Sequence, residues 1–371
     1  MKILYDHQAF TGARYGGVAR YFYDLIVSLR QRGLDARLSV RFSNNVYLVN
    51  SNQFRTYSYR YFLGYMPTSM LFSQINRLLS SVQVMQHDYD VFHPTFFHPY
   101  FLKFIGQKPF VLTYHDLIKE RLGAAYGHLD NANKDLKQTL LDRSARVIAV
   151  SENTKKDLVD LFRIDPDKIT VVYHATHFRT LNVPASFQVQ TPDTYLLYVG
   201  NRGTYKNFIP FLKAIAPTLK RYPHVQLICA GGGPFDPTEQ QLINELSLNG
   251  RVLFHDIDDF VLYRLYEKAL AFVYPSLYEG FGIPILEAFA AGCPVVLSHT
   301  SCFPEVAQDA ALYFDPASEL SMRQTIEQLI DNESLRASLR QKGYLRQEAF
   351  SPEKVTTQTL QVYQQVVNQS L

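Results

Sequence analysis

Two stretches far apart in the chain repeat one pattern. MKILYDHQAF opens as a buried strand over residues 3–5. It passes through a turn holding Gly16 and Gly17 into a helix with apolar residues at Val18, Tyr21, Phe22, Leu25, Ile26 and Leu29. TYLLYVGNRGTYKNFIPFLKAIAPTL does the same from Thr194: apolar strand, turn with Gly200, Asn201, Arg202 and Lys206, then an amphipathic helix. A short apolar run, a glycine turn and a helical period in succession make the start of a Rossmann-like unit. A chain of 371 residues has room for two such units. Neither start carries the full G-x-G-x-x-G, which argues against a nucleotide-dependent dehydrogenase.

The segments between follow the same alternation. LDARLSVRF, DYDVFHPTFF, PFVLTY, SARVIAV and DKITVV read as strands, so a first domain is expected over 1–175. Residues 176–192 lose periodicity and carry two prolines, which predicts a linker. A second α/β domain is expected over 193–351, with a last helix at about 352–371.

The stretch 274–304 reads YPSLYEGFGIPILEAFAAGCPVVLSHTSCFP. Strand, glycine turn, short helix, Gly292 and strand make one βαβ unit. Pro284 suits the first helical position and Gly292 the position past the helix end. The N–H groups of Ile285, Leu286 and Glu287 are then expected to lack helical partners, and such an end binds anions. A carboxylate beside a phosphate would repel it. Glu279 and Glu287 should therefore reach past the anion and hold hydroxyls, a pattern that fits a nucleotide sugar. Two ordinary helix-start acids, favoured by the dipole, would look the same.

E-G-F-G-I-P-I-L-E, with YPS before it and A-x-G-x-P-V-V and P-E-V after it, resembles the E-x7-E signature of the retaining glycosyltransferases of family 4. The resemblance implies the GT-B fold, two Rossmann-like domains facing across a cleft, with the C-terminal helix crossing back to the first. It implies that Glu279 faces the donor hexose and Glu287 the nucleotide ribose, with Gly280, Phe281, Gly282, Ile283 and Leu286 lining the donor between them. Gly16 and Gly17 would let backbone approach the donor diphosphate; a tight turn needing positive φ is the other reading. Lys206 matches the family's lysine at the diphosphate. Asn201 occupies the usual arginine position, with Arg202 one residue later; Gly200 and Asn201 complete that turn. Two solvated surface cations are the plainer reading of Lys206 and Arg202. Residues 254–257, Phe254 and His255 among them, stand where relatives hold the nucleobase, largely through backbone. His115 follows a strand end and would contact the transferred sugar, although a lone histidine is often structural.

The implied activity is transfer of a hexose, with retention, from a UDP-glucose or GDP-mannose type donor to a hydroxyl of a saccharide or lipid-linked acceptor in glycan biosynthesis. A GT-B phosphorylase and a non-catalytic nucleotide-sugar-binding partner remain as alternatives. No cofactor or metal is expected, the nucleotide sugar being a substrate. Asp165 and Asp167 spell D-x-D only within a D-P-D turn, and His93, His98 and His115 lack the spacing of a usual metal site.

Charge is uneven. Through Ala175 there are 22 Lys+Arg and 15 Asp+Glu, giving +7; the remainder holds 15 and 19, giving −4. Residues 36–87 hold no acid, while Arg37, Arg41, Arg55, Arg60 and Arg77 fall there. Residues 42–86 read as irregular and aromatic. Peripheral contact of the segment 37–87 with anionic lipid, acceptor binding and simple core packing are all consistent with that composition. Nucleic acid is not an expected partner. Cys229, Cys293 and Cys302 form no disulfide framework, and no leader or spanning run is evident, so a cytoplasmic protein, membrane-associated at most on that face, is expected.

Overall fold

A computed structural model of the chain describes residues 1–12, 14–58, 68–123 and 134–369. The described residues fall into two compact units. One draws on Met1–Glu120, Asn131–His174 and Pro352–Leu371; the other is chiefly Ala175–Ser351.

In the first unit, β1 (Lys2–Tyr5), β2 (Asp35–Leu38) and β3 (Val91–His93) form a parallel sheet in the order β2-β1-β3. β4 (Val111–Tyr114), β5 (Arg146–Ala149) and β6 (Ile169–Val171) form another, also parallel. A parallel bridge between Phe92 and Phe110 links the two. The second unit is a single parallel sheet built from β7 (Tyr195–Val199), β8 (Gln226–Ala230), β9 (Val252–His255), β10 (Ala271–Tyr274), β11 (Val295–Ser298) and β12 (Ala311–Phe314). Its order is β12-β11-β10-β7-β8-β9. All of β7, β10 and β11 is buried, as expected of strands covered on both faces by helices. The helix Phe208–Arg221 supplies one cover through Phe208, Phe211, Leu212, Ile215 and Leu219, all in the core. Burying each such side chain contributes about 1.5–3 kcal/mol.

The C-terminal helix Pro352–Gln369 belongs to the first unit. Its Tyr363 hydroxyl lies 2.8 Å from that of Tyr5 and 2.6 Å from His93 Nδ1, while His93 Nε2 meets Thr113 Oγ1 at 3.0 Å. One helical tyrosine thus ties together β1, β3 and β4. Thr356 donates to Ser28 on the helix Gly17–Gln31 at 2.9 Å. His93 uses both ring nitrogens inside this network, a structural role rather than a ligating one.

Two expectations change. Residues 176–192 are not a free linker: Phe178 is buried against Tyr263 and Tyr266, and Arg264 donates to the carbonyls of Pro184 and Phe187. These contacts strap the segment to the helix Asp259–Lys268 of the second unit. Residues 42–86 are not simply irregular either, since Thr68–Met85 is an 18-residue helix. The pattern concealed it because its buried side includes Asn76 and Ser80 beside Phe72 and Val84, while Met70, Leu71, Leu78, Leu79, Val82 and Met85 are exposed. Asn76 accepts from the backbone N–H groups of Arg41 and Phe42 at 3.0 Å and donates to the Phe42 carbonyl at 2.7 Å. Ser80 meets the Tyr100 hydroxyl at 2.6 Å. The part of that reading over residues 59–67 lies outside the described residues.

Candidate functional site

Open α/β sheets bind ligands at the carboxyl ends of strands where the strand order reverses. In the second unit that point lies between β7 and β10. The chain leaves β7 through Gly200, Asn201 and Arg202 to Lys206, and leaves β10 through the loop carrying Glu279. Lys206 Nζ donates to Glu279 Oε1 at 2.6 Å and to the Tyr274 hydroxyl at 3.2 Å. The two charged side chains are only 12% and 10% exposed, so the pair is largely removed from water. That rules out the reading of Lys206 as a solvated surface cation. The Glu279 backbone is fixed as well: its N–H donates to Ser301 Oγ at 3.2 Å, and its carbonyl accepts from Cys302 Sγ at 3.3 Å. Burial and the nearby Glu279 carboxylate push the Tyr274 phenol well above its ordinary range, so it stays a neutral hydroxyl.

Gly282, with φ 88°, opens the helix Ile283–Ala290, which carries no side-chain cap. A β-carbon at Gly282 would lie 3.1 Å from both Ile285 and Phe303. The helix starts one residue earlier than expected, placing Pro284 second. The Ile285 N–H is not an orphan: it donates to the Gly282 carbonyl at 2.9 Å. With proline lacking an N–H, the amides that helix geometry leaves without an internal partner at this end are those of Gly282 and Ile283. Gly280, Phe281 and Leu286 are buried around this turn. The helix ends as expected at Gly292, φ 70°, with Gly292 N–H on the Phe289 carbonyl and Cys293 N–H on that of Ala288, a Schellman closure. Glu287 accepts from the buried Tyr266 hydroxyl at 3.3 Å.

Arg202 is engaged elsewhere than the expected role requires. Its Nε donates to Glu239 Oε1 at 2.8 Å, Nη1 to the Gly231 carbonyl at 3.2 Å, and Nη2 to the carbonyls of Gly233 and Pro234 at 2.9 Å. Its side chain is 4% exposed and stacks on Phe235. Glu239 meanwhile closes a capping box with Asp236 at the start of the helix Pro237–Glu245. Arg202 thus clamps the turn Gly231, Gly232 and Gly233, all at positive φ, and Gly232 has no room for a side chain: a β-carbon would stand 2.6 Å from the Gly200 carbonyl oxygen. Asn201 is exposed beside it. Phe254 and His255 end β9, where His255 accepts Gly231 N–H at its carbonyl and Ile257 packs against Gly231. The glycine turn therefore joins the Lys206 loop to the residues expected at the nucleobase.

In the first unit, Gly16 has φ 171°, ordinary extended backbone, so the positive-φ reading of the glycine pair does not hold. A β-carbon at Gly16 or Gly17 would meet nothing within 4 Å. His115 follows β4 and meets His174 past β6, Nδ1 to Nε2, at 3.3 Å. Burial and the neighbouring His174 and His93 hold His115 well below its ordinary range, and burial brings His174 down to about 4. Both are neutral at pH 7. His98 caps the short turn Pro99–Lys103 through Nδ1, and Asp165 caps Pro166–Lys168, as expected of a D-P-D turn. Among the described residues no group of three His, Cys, Asp or Glu is placed to hold a metal ion.

Sequence reasoning missed His174, Glu239 and the hydroxyl of Tyr274. His174 carried the same signal that singled out His115, a histidine just beyond a strand end. Glu239 stood in a D-x-x-E capping box ahead of an apolar run.

Residues 15–177 match the family model described as Glycosyltransferase Family 4, and residues 182–346 that described as Glycosyl transferases group 1. The chain belongs to this glycosyltransferase family. Among curated relatives, the family member is 34% identical over 193 residues to the O-antigen chain mannosyltransferase RfbU of Salmonella typhimurium, an alignment covering 51% of this chain and 53% of the relative. It is also 34% identical over 238 residues to O-antigen chain mannosyltransferase B of Escherichia coli, covering 60% and 61%. The matched regions thus span between about half and three-fifths of these relatives' lengths. The structure of Anabaena HepE in complex with UDP and glucose superposes with a TM-score of 0.75 at 17% identity, covering 98% of this chain and all of that one. That likeness shows the fold, GT-B.

Proposed function

We propose that the protein transfers a hexose, with retention, from a nucleotide-diphosphate sugar to a hydroxyl of a saccharide or lipid-linked acceptor. The observation that carries this reading is the buried Lys206–Glu279 pair at the strand-order reversal of the second unit. When the bond from sugar to phosphate breaks, positive charge grows on the sugar and negative charge on the leaving diphosphate. Lys206 supplies a fixed cation for the diphosphate, and Glu279, held by Ser301 and by Lys206, supplies a carboxylate for the sugar hydroxyls and the developing cation. Preorganised charges of this kind are worth several kcal/mol in a site shielded from water. The Ile283 amide faces the anion from the helix start, and Glu287, oriented by Tyr266, takes the ribose. Arg202 acts through the glycine turn, shaping the wall of the donor site rather than neutralising the diphosphate. The open backbone at Gly16 and Gly17 suits close approach of a ligand, since neither φ nor crowding within the chain calls for glycine there.

Mannose is the favoured hexose because both 34% relatives are mannosyltransferases of O-antigen chains. A glycan acceptor follows from the same relatives. The helix Thr68–Met85, with six exposed large apolar residues and Arg77 as its one charge, is the part of the acid-free segment that would lie on an anionic lipid surface. No helix among the described residues is long and apolar enough to cross a membrane.

The deciding experiment is a panel of nucleotide sugars scored by thermal shift and by slow release of nucleotide without acceptor. Stabilisation by one nucleotide and hydrolysis of one of its sugars supports the proposal and names the donor. Formation of a hexose 1-phosphate from saccharide and inorganic phosphate would make the protein a phosphorylase instead. Binding with no turnover under any acceptor would make it a non-catalytic partner.

A further inference from the structure

His115 does not stand alone. Its Nδ1 is 3.3 Å from His174 Nε2, the two ring planes lie within 7°, and the ring centres are 5.3 Å apart. Rings stacked face to face would bring the centres much closer than that. The three values together place the imidazoles edge to edge in near-parallel planes, with Nδ1 and Nε2 at hydrogen-bonding distance. The contact bridges the carboxyl end of β5, because His115 follows β4, His174 follows β6, and the sheet order is β4-β5-β6. Tyr21 packs edge-on against both rings, at 5.1 Å and 80° to His115 and at 5.0 Å and 83° to His174. Phe22 adds a perpendicular contact to His115 at 6.0 Å. Along the other edge of His115, Nε2 is buried with no hydrogen-bond partner among the described residues. A buried polar atom left unpaired costs about 1–3 kcal/mol, which a hydroxyl reaching Nε2 would recover.

We propose that His174 is a positioning residue for His115: it locks the His115 ring in one plane and one tautomer, so that Nε2 meets a sugar hydroxyl in a single defined state. A hydrogen bond between two neutral imidazoles contains one proton. If it sits on His115 Nδ1, Nε2 is a bare acceptor; if it sits on His174 Nε2, His115 carries its proton on Nε2 and donates. In either case the state of the substrate-facing nitrogen is set by the partner. This inference rests on the reading of His115 as the residue that contacts the transferred sugar.

The test combines spectroscopy and turnover. In protein labelled with 15N in histidine, His115 should show the shifts of one tautomer. In His174→Phe, which keeps a flat ring but cannot hydrogen-bond, it should show averaging between the two. Hydrolysis of whichever of GDP-mannose and UDP-glucose the wild type turns over should fall about tenfold or more in kcat, with nucleotide affinity unchanged. His174→Gln, whose amide can stand in for Nε2, should recover most of the loss. His115 spectra and turnover both unaltered in a folded His174→Phe protein would overturn the positioning role while leaving His115 as a substrate contact. Wild-type turnover in His115→Phe would instead remove the substrate contact itself, and the proposal with it.

Discussion

At the scale of single residues, the site is defined by which charges are paired with which. Lys206 and Glu279 are joined in a largely dry environment, so removing either leaves the other buried and uncompensated, at a cost of roughly 3–5 kcal/mol. Lys206→Ala and Glu279→Ala should each lower the melting temperature, and the double variant should be more stable than the sum of the singles predicts, by a coupling of about 1–3 kcal/mol in a double-mutant cycle. Turnover should fall at least about a hundredfold in each single variant, while Glu279→Ala still binds nucleotide. Glu279→Ala with intact turnover would falsify the proposed reaction. Arg202 behaves differently because its guanidinium holds carbonyls and Glu239. Arg202→Lys keeps the charge but cannot span Gly231, Gly233, Pro234 and Glu239 together. It should raise KM for the donor several-fold with a smaller change in kcat, as measured by steady-state kinetics.

At the scale of elements, glycines that look alike in sequence are required for different reasons. Gly232 has φ 73° and no space, so Gly232→Ala should destabilise the second unit by more than about 1 kcal/mol and weaken donor binding. Gly16 is extended and open but caps the helix Gly17–Gln31, so Gly16→Ala should cost at most about 1 kcal/mol in urea unfolding and weaken donor binding as well. If Gly16→Ala binds donor as well as the wild type, the glycine pair has no part in the donor site. The helix Thr68–Met85 mixes its faces: hydrogen-bonded Asn76 and Ser80 lie inward with Phe72 and Val84, while leucines, methionines and a valine lie outward. Leu78→Glu with Val82→Glu should leave the fold intact and abolish sedimentation with anionic vesicles at low salt. Equal binding by wild type and variant would remove the lipid surface as its occupant.

At the scale of the whole molecule, buried histidines set how the first unit responds to acid. Burial lowers His93 to about 3 and His174 to about 4 from an ordinary value of 6.5. Above pH 6.5 these histidines are neutral whether the chain is folded or not, and their contribution is fully present. As pH falls below 6.5 the unfolded chain takes up protons that the folded one refuses, and stability drops by about 1.4 kcal/mol per pH unit for each. The drop continues to pH 4 for His174 and to pH 3 for His93. Urea unfolding between pH 7 and 5 should show this slope, and His93→Gln should reduce it by one histidine's share. A flat profile would mean that these rings are not buried neutral. Much of the molecule was legible beforehand. Two strand–glycine–helix starts specified two parallel α/β units, because a continuous apolar strand needs cover on both faces. The spacing of Glu279, Pro284, Glu287 and Gly292 specified a helix with one acid before it and one within it. Those are local properties, carried by periodicity and by the backbone preferences of glycine and proline. Pairing was not legible. The contacts Lys206 with Glu279, Arg202 with Glu239 and His115 with His174 join residues separated by whole strands and helices, and nothing local in the chain marks one as the partner of the other. The inward face of Thr68–Met85 was hidden for the same reason, since Asn76 becomes a core residue only when the backbone of Arg41 and Phe42 lies against it. The sequence by itself determined the two folds and the type of chemistry at the strand ends; only the tertiary structure decided which charges neutralise one another and that His115 Nε2 is left buried without a hydrogen-bond partner among the described residues.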